Sequence, residues 1–125
     1  MENWSAMGPH RANIINLLNL IASQSDQLEY QQLAPVNVAN ELVNQWFDDF
    51  YHPTDEQFRR EFSRQELSSL DEFHTRYETR LSKLPNSLGR MLETRAWREI
   101  MDFAGEVLAE YGWRGIEARY DDQTE

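Results

Sequence analysis

Ser63–Pro85 reads SRQELSSLDEFHTRYETRLSKLP, and the rest of the fold is read outward from this stretch. Ser63 followed three residues later by Glu66 matches a capping box. The hydroxyl accepts from the backbone N–H three residues on, and the Glu66 carboxylate reaches back to the Ser63 N–H. Leu67, Leu70, Phe73, His74, Tyr77, Leu81 and Leu84 follow at steps of three or four. That spacing lines one face of an α-helix and never alternates like a strand. The expected helix runs from Ser63 until Pro85 stops it.

The same period recurs on both sides. Upstream, Asn37 is a good N-cap, and Leu42, Val43, Trp46, Phe47 and Phe50 form an apolar face that ends near Tyr51, ahead of Pro53. A short helix is expected over Asp55–Phe62. After Pro9, Ile14, Leu17, Leu18 and Ile21 share a face. Either one helix continues to Leu33, or the pattern pauses at Ser23–Asp26 and resumes. Downstream, Thr94 opens a helix carrying Trp97, Ile100, Met101, Ala104, Val107, Leu108 and Tyr111, and Gly112 sits where a left-handed residue closes it. Val36–Val38 is the only strand-like fragment. The expected fold is all-α, a single-domain bundle of four to five helices over residues 1–125 with frayed ends at about 1–9 and 113–125.

Composition narrows the function classes. The 125 residues include 12 Lys or Arg and 22 Asp or Glu, a net charge of −10. An aromatic content of 12% argues against a disordered acidic tail. There is no cysteine, which removes disulfides, thiol nucleophiles and thiolate metal sites. Direct binding to nucleic acid is disfavoured, because it needs a basic face. Ile14–Ala22 is broken by Asn16 and Asn19 and falls far short of the roughly 20 apolar residues of a membrane span. No membrane contact is expected, and the default compartment is the cytoplasm.

Charge is unevenly placed. No Lys or Arg lies between Arg11 and Arg59, while Asp26, Glu29, Glu41, Asp48, Asp49, Asp55 and Glu56 do. Residues 1–62 hold 3 basic and 9 acidic residues, a net −6. The second half interleaves its charges, with Glu72–Arg76 and Arg95–Glu99 each four apart. Acids at a helix C-terminus without a basic neighbour oppose the helix dipole. Such an arrangement is tolerated where a basic partner uses it.

Other chemistry finds less support. Asp48 with His52, and Asp71 with His74, are single carboxylate–imidazole pairs rather than a ligand set. His74 beside the apolar stripe reads as a hydrogen-bonded, partly buried histidine, and His10 as a solvated one. There is no G-x-S-x-G and no phosphate loop. Hence no catalytic residue, metal or cofactor is assigned. Trp46, Phe47 and Phe50 belong to the core, with Tyr51 at its edge beside Asp48. Asn44 and Gln45 are placed to bond the segment 35–38, whose backbone groups need partners, or to meet a binding partner.

Pro35–Trp46, PVNVANELVNQW, followed by Phe58, Phe62-Ser63, Glu66-Leu67 and Phe73-His74, resembles a group of small bacterial proteins. In that group a P-V-x-V-x-x-E-L-x-N-Q-W block precedes an F-S-x-x-E-L-x-x-L-x-x-F-H block. No activity is established for the group, so the resemblance implies no catalytic residues. By size, charge and compartment the chain is also similar to the acidic helical immunity proteins of bacterial toxin systems. The resulting expectation is a non-enzymatic acidic binding protein that inhibits or neutralises a basic partner, such as a toxin or a nucleic-acid-binding protein. Its surface would comprise Glu41, Asn44, Gln45, Asp48, Asp49, Tyr51, Asp55 and Glu56. The alternatives are a DNA-mimic inhibitor, a small metal enzyme using Asp48, His52, Asp71 and His74, and a homo-oligomeric module.

Overall fold

Helix α1 (Pro9–Ile21) starts where the sequence says it should. Gly8 is its extended N-cap and Pro9 needs no N–H partner at the first position. This computed structural model describes residues 8–116. Ala12, Ile14, Ile15, Leu17, Leu18 and Ile21 are all buried. A fully buried Ile or Leu contributes about 1.5–3 kcal/mol as an upper estimate, so α1 is one of the helices that carry the core, packed on α7 and on α2.

The open question between one helix and two is answered by Gln27. Helix α2 (Gln24–Leu33) is separate, capped by Ser23 accepting from the Asp26 N–H at 3.2 Å. Gln27 is fully buried and donates from Nε2 to the Leu20 and Ile21 carbonyls at 3.0 and 2.8 Å. It thereby satisfies the carbonyls that the end of α1 leaves free. Its Oε1 accepts from Trp97 Nε1 at 3.2 Å. Gln27 is the only buried residue of α2, so this helix rides on the outside.

Next come α3 (Val38–Asn44), a π-helical turn (Gln45–Phe50), α4 (Glu56–Arg60) and α5 (Arg64–Glu78). Asn37 caps α3 and Ser63–Glu66 forms both halves of the capping box, as read from the sequence; Asp55, expected only as the start of a helix to Phe62, is the N-cap of α4. Helix α5 stops at Glu78, not at Leu84. The Arg80 side chain turns back to the Arg76 carbonyl at 3.0 Å, and a 3-10 turn (Leu81–Lys83) follows. Helix α6 (Leu88–Met91) is short. Helix α7 (Arg95–Tyr111) is capped by Thr94 and closed by Gly112 at φ 71°, a left-handed conformation that costs glycine little. Helix α7 packs against both α1 and α5.

The all-helical expectation holds, with no strand among the described residues. The count of four to five helices does not: the described residues hold seven α-helices, because α1 and α2 are distinct and the short α6 adds another. Buried apolar residues from nearly every helix form one connected cluster, with Trp46, Trp97, Tyr77, Phe58 and Phe73 its largest members. The tail expected to fray is held as far as it is described. Trp113 is buried, and Asn19 of α1 donates to its carbonyl at 3.0 Å and accepts from the Gly115 N–H at 2.8 Å. Residues 1–7 and 117–125, the other parts of the expected frayed ends, lie outside the described residues.

Candidate protein-binding surface

The π-helical turn is the local feature that shapes the acidic surface. Its hallmark is the Tyr51 N–H donating to the Trp46 carbonyl at 3.1 Å, five residues back. In an α-helix, residues five apart point about 140° away from each other at 100° per residue. The wider turn brings them together. Tyr51 stacks on Trp46 with ring centroids 4.7 Å apart and planes 12° from parallel. Tyr77, fully buried on α5, donates its hydroxyl to the Leu42 carbonyl at 3.1 Å, just ahead of the wide turn. Burial raises the Tyr77 pKa, so this hydroxyl stays a donor. π-helical turns recur at functional sites, and no spacing rule in the sequence announced this one.

His74 completes the aromatic packing. Trp46 Nε1 donates to its Nδ1 at 3.1 Å, which makes Nδ1 the acceptor and places the neutral ring's proton on Nε2. Nε2 lies 3.8 Å from the Glu78 carboxylate. Phe47 and Tyr51 flank the ring at 5.1 and 5.0 Å. His74 is therefore hydrogen-bonded and partly buried, as expected.

With Trp46 inside, the turn presents Asp48 and Asp49 to solvent. Neither carboxylate has a cation or hydrogen-bond donor among the described residues. They stand at the C-terminal end of the helical run from Val38 to Phe50, where negative charge opposes the dipole by about 0.3–1 kcal/mol. Asn44 is exposed on the same helical run, and its side chain makes no hydrogen bond among the described residues. Glu41 is half-buried one turn back and accepts weakly from Gln45 Nε2 at 3.4 Å.

The other members of the expected surface are engaged elsewhere. Tyr51 is not an exposed anchor but a buried ring. Its pKa is raised, mainly by burial and then by the charge and hydrogen bond of Asp71, with Arg59 opposing. Gln45 donates to the Tyr30 hydroxyl at 3.2 Å. Neither it nor Asn44 bonds the segment 35–38; Asn37 instead ties that segment to the Asn86 carbonyl at 2.8 Å. Asp55 caps α4 through the Phe58 N–H at 2.9 Å, and Glu56 pairs with Arg60 at 3.0 Å. What remains is a patch of Glu41, Asn44, Asp48 and Asp49.

His52, Asp71 and His74 are not brought together with Asp48 as ligands. His52 Nε2 contacts the Asp49 carbonyl at 2.7 Å, Asp71 serves Tyr51, and His74 serves Trp46. Among the described residues no group of three His, Asp or Glu is arranged to hold a metal ion. His10 is packed rather than solvated, 5.4 Å from Phe58 and 3.7 Å from Asp55. Among the described residues no helix is long and apolar enough to cross a membrane.

The remaining perturbed acids are structural in origin. Burial pushes Glu66 up, but Arg11 and the Ser63 N–H outweigh it and hold the carboxyl below its ordinary range. Glu99 is lowered chiefly by its hydrogen bond from Arg80. That bond replaces the Arg95–Glu99 pair expected from spacing, whereas Glu72–Arg76 forms at 2.7 Å. Compared with protein-family models, with curated proteins and with solved structures, the chain matches none.

Proposed function

We propose that this is a non-enzymatic binding protein of the cytoplasm, whose acidic patch engages and neutralises a basic protein. One observation carries the reading: Asp48 and Asp49 are consecutive exposed carboxylates on a π-helical turn, with no compensating cation among the described residues. An arginine or lysine from a partner would pair both carboxylates and relieve their opposition to the helix dipole. Glu41 and Asn44 form the polar rim of such a contact. The aromatic stack beneath makes the turn a rigid platform, which lowers the ordering cost of binding. A net charge of −10 steers a basic partner toward the surface and makes association salt-sensitive.

The test is affinity capture from a native lysate, eluted by a salt step, with the full chain and with Asp48→Asn/Asp49→Asn. Retention of one basic protein by the wild type, released by salt and absent with the variant, supports the reading. Equal retention by both chains removes the patch from the interface.

A further inference from the structure

A second charge pole lies at the other end of α5. Residues 79–99 hold Arg80, Lys83, Arg90, Arg95 and Arg98 against Glu93 and Glu99, a local +3 in a chain of −10. Three of these cations line one cavity of about 320 Å³, together with Thr79, Ala96 and Glu99. The volume is at the lower end of the roughly 300–1,000 Å³ of small-molecule sites. The 3-10 turn after α5 forms one wall and the first turn of α7 the other.

The three cations differ in how they are held. Arg80 is fixed: it donates to Glu99 at 2.9 Å, to the Arg76 carbonyl at 3.0 Å and to Thr79 Oγ1 at 3.3 Å, and lies 4.9 Å over the Phe103 ring. Lys83 and Arg95 are exposed, and their side chains make neither a hydrogen bond nor an ion pair among the described residues. Their charge nonetheless reaches the cavity, since both help to lower the pKa of Glu99. Helix α7 has no acidic residue in its first turn, and Arg95 is its first helical position. A cation there faces the positive end of the dipole, and the first N–H groups have no intrahelical acceptor. The Trp97 N–H is already taken by Thr94, and an anion in the cavity would compensate Lys83, Arg95 and Arg80 together.

We propose that this cavity binds a tetrahedral phosphoryl group, carried by a small phosphomonoester or free as inorganic phosphate. Lys83 and Arg95 make the direct contacts and Arg80 is the fixed cationic wall. A guanidinium fork matches two phosphate oxygens, and a lysine adds a point charge. Glu99 neutralises part of Arg80 and competes with the ligand, so it sets the affinity low. The site is independent of the acidic patch.

The test is an NMR titration of the full ¹⁵N-labelled chain with inorganic phosphate at low ionic strength. Matched chloride is the control and phenyl phosphate the second probe. Expected are saturable shifts confined to residues 79–83 and 95–99, absent with chloride. Lys83→Gln/Arg95→Gln should weaken binding at least tenfold. It breaks no ion pair, so the fold persists. Glu99→Gln should tighten binding at least threefold, an effect that no structural role of the carboxylate produces. Tighter binding of phenyl phosphate assigns the cavity to an ester, and equal binding assigns it to free phosphate. Shifts that do not saturate, that chloride reproduces, that centre on Arg59–Arg64, or that survive in the double variant overturn the site.

Discussion

Arg11→Met should be among the most damaging single substitutions on this chain outside the apolar core. Arg11 forms a two-pronged bridge to Glu66 at 2.8 and 3.0 Å, donates to the Glu61 carbonyl at 2.9 Å, and lies 5.5 and 5.2 Å from the Phe62 and Trp113 rings. It thus joins α1 to the start of α5 and to the residues after α7. Removing it leaves the Glu66 side chain, only 11% exposed, with the Ser63 N–H as its remaining close donor. Breaking a buried ion pair from one side costs about 3–5 kcal/mol. The Arg11 side chain is 26% exposed, which lets water reach the vacated site and places the cost near the lower end. About 3 kcal/mol corresponds to a fall in Tm of roughly 10 °C for a domain of this size. Urea unfolding followed by circular dichroism measures it. Adding Glu66→Gln to Arg11→Met removes the stranded charge while keeping a capping side chain, and should restore about half of the loss. A cost below about 1 kcal/mol, or a double variant no better than the single one, would refute the network. The pH dependence carries the same sign. The Glu66 pKa is lower folded than unfolded, so its contribution is complete above the unfolded carboxylate range and disappears as pH falls through the folded value. Wild-type stability should therefore drop with acidification below about pH 4.3, and that slope should flatten in Arg11→Met.

Tyr77→Phe leaves the buried Leu42 carbonyl without its donor and should cost about 1–3 kcal/mol in urea unfolding; a neutral result would detach Tyr77 from the π-helical turn. His74 should show the Nε2–H tautomer in ¹⁵N NMR of the wild type, because Trp46 donates to Nδ1, and Trp46→Phe should release that preference. Asn19→Ala removes the side chain that donates to Trp113 and accepts from Gly115; hydrogen exchange at Gly115 should accelerate at least tenfold while the centre of α1 stays protected.

Local rules carried the caps and failed where long-range partners decide. Ser63–Glu66 and Asn37 cap and Gly112 is left-handed as read from the sequence, and Asp55 and Thr94 stand at helix starts that were expected there, because each depends on neighbours within a few residues. Gln27 gave no signal in the sequence, for the opposite reason. A polar residue looks like surface, yet this one is buried by Trp97, 70 positions away. The early end of α5 depends on Arg80 reaching Glu99 across to α7, which spacing along one helix does not reveal. The π-helical turn needs Tyr77 and the Trp46–Tyr51 stack, so Tyr51 could be misread as an edge residue. The run of acids was legible. Which of them keep a free carboxylate was not, because Asp55 and Glu56 are taken by local partners. The basic density of residues 79–99 was also open to reading, though its convergence on one cavity required the fold.

The most direct measurement is the affinity of the captured, purified basic partner for two variants of equal charge change. Asp48→Asn/Asp49→Asn removes the pair on the π-helical turn. Asp102→Asn/Glu106→Gln removes two exposed acids of α7 and leaves the turn untouched. Isothermal titration at low and at physiological salt should show at least a tenfold loss for the first variant and less than a twofold change for the second. Equal losses in the two variants would make the attraction a property of net charge alone and would contradict a binding surface at Asp48 and Asp49.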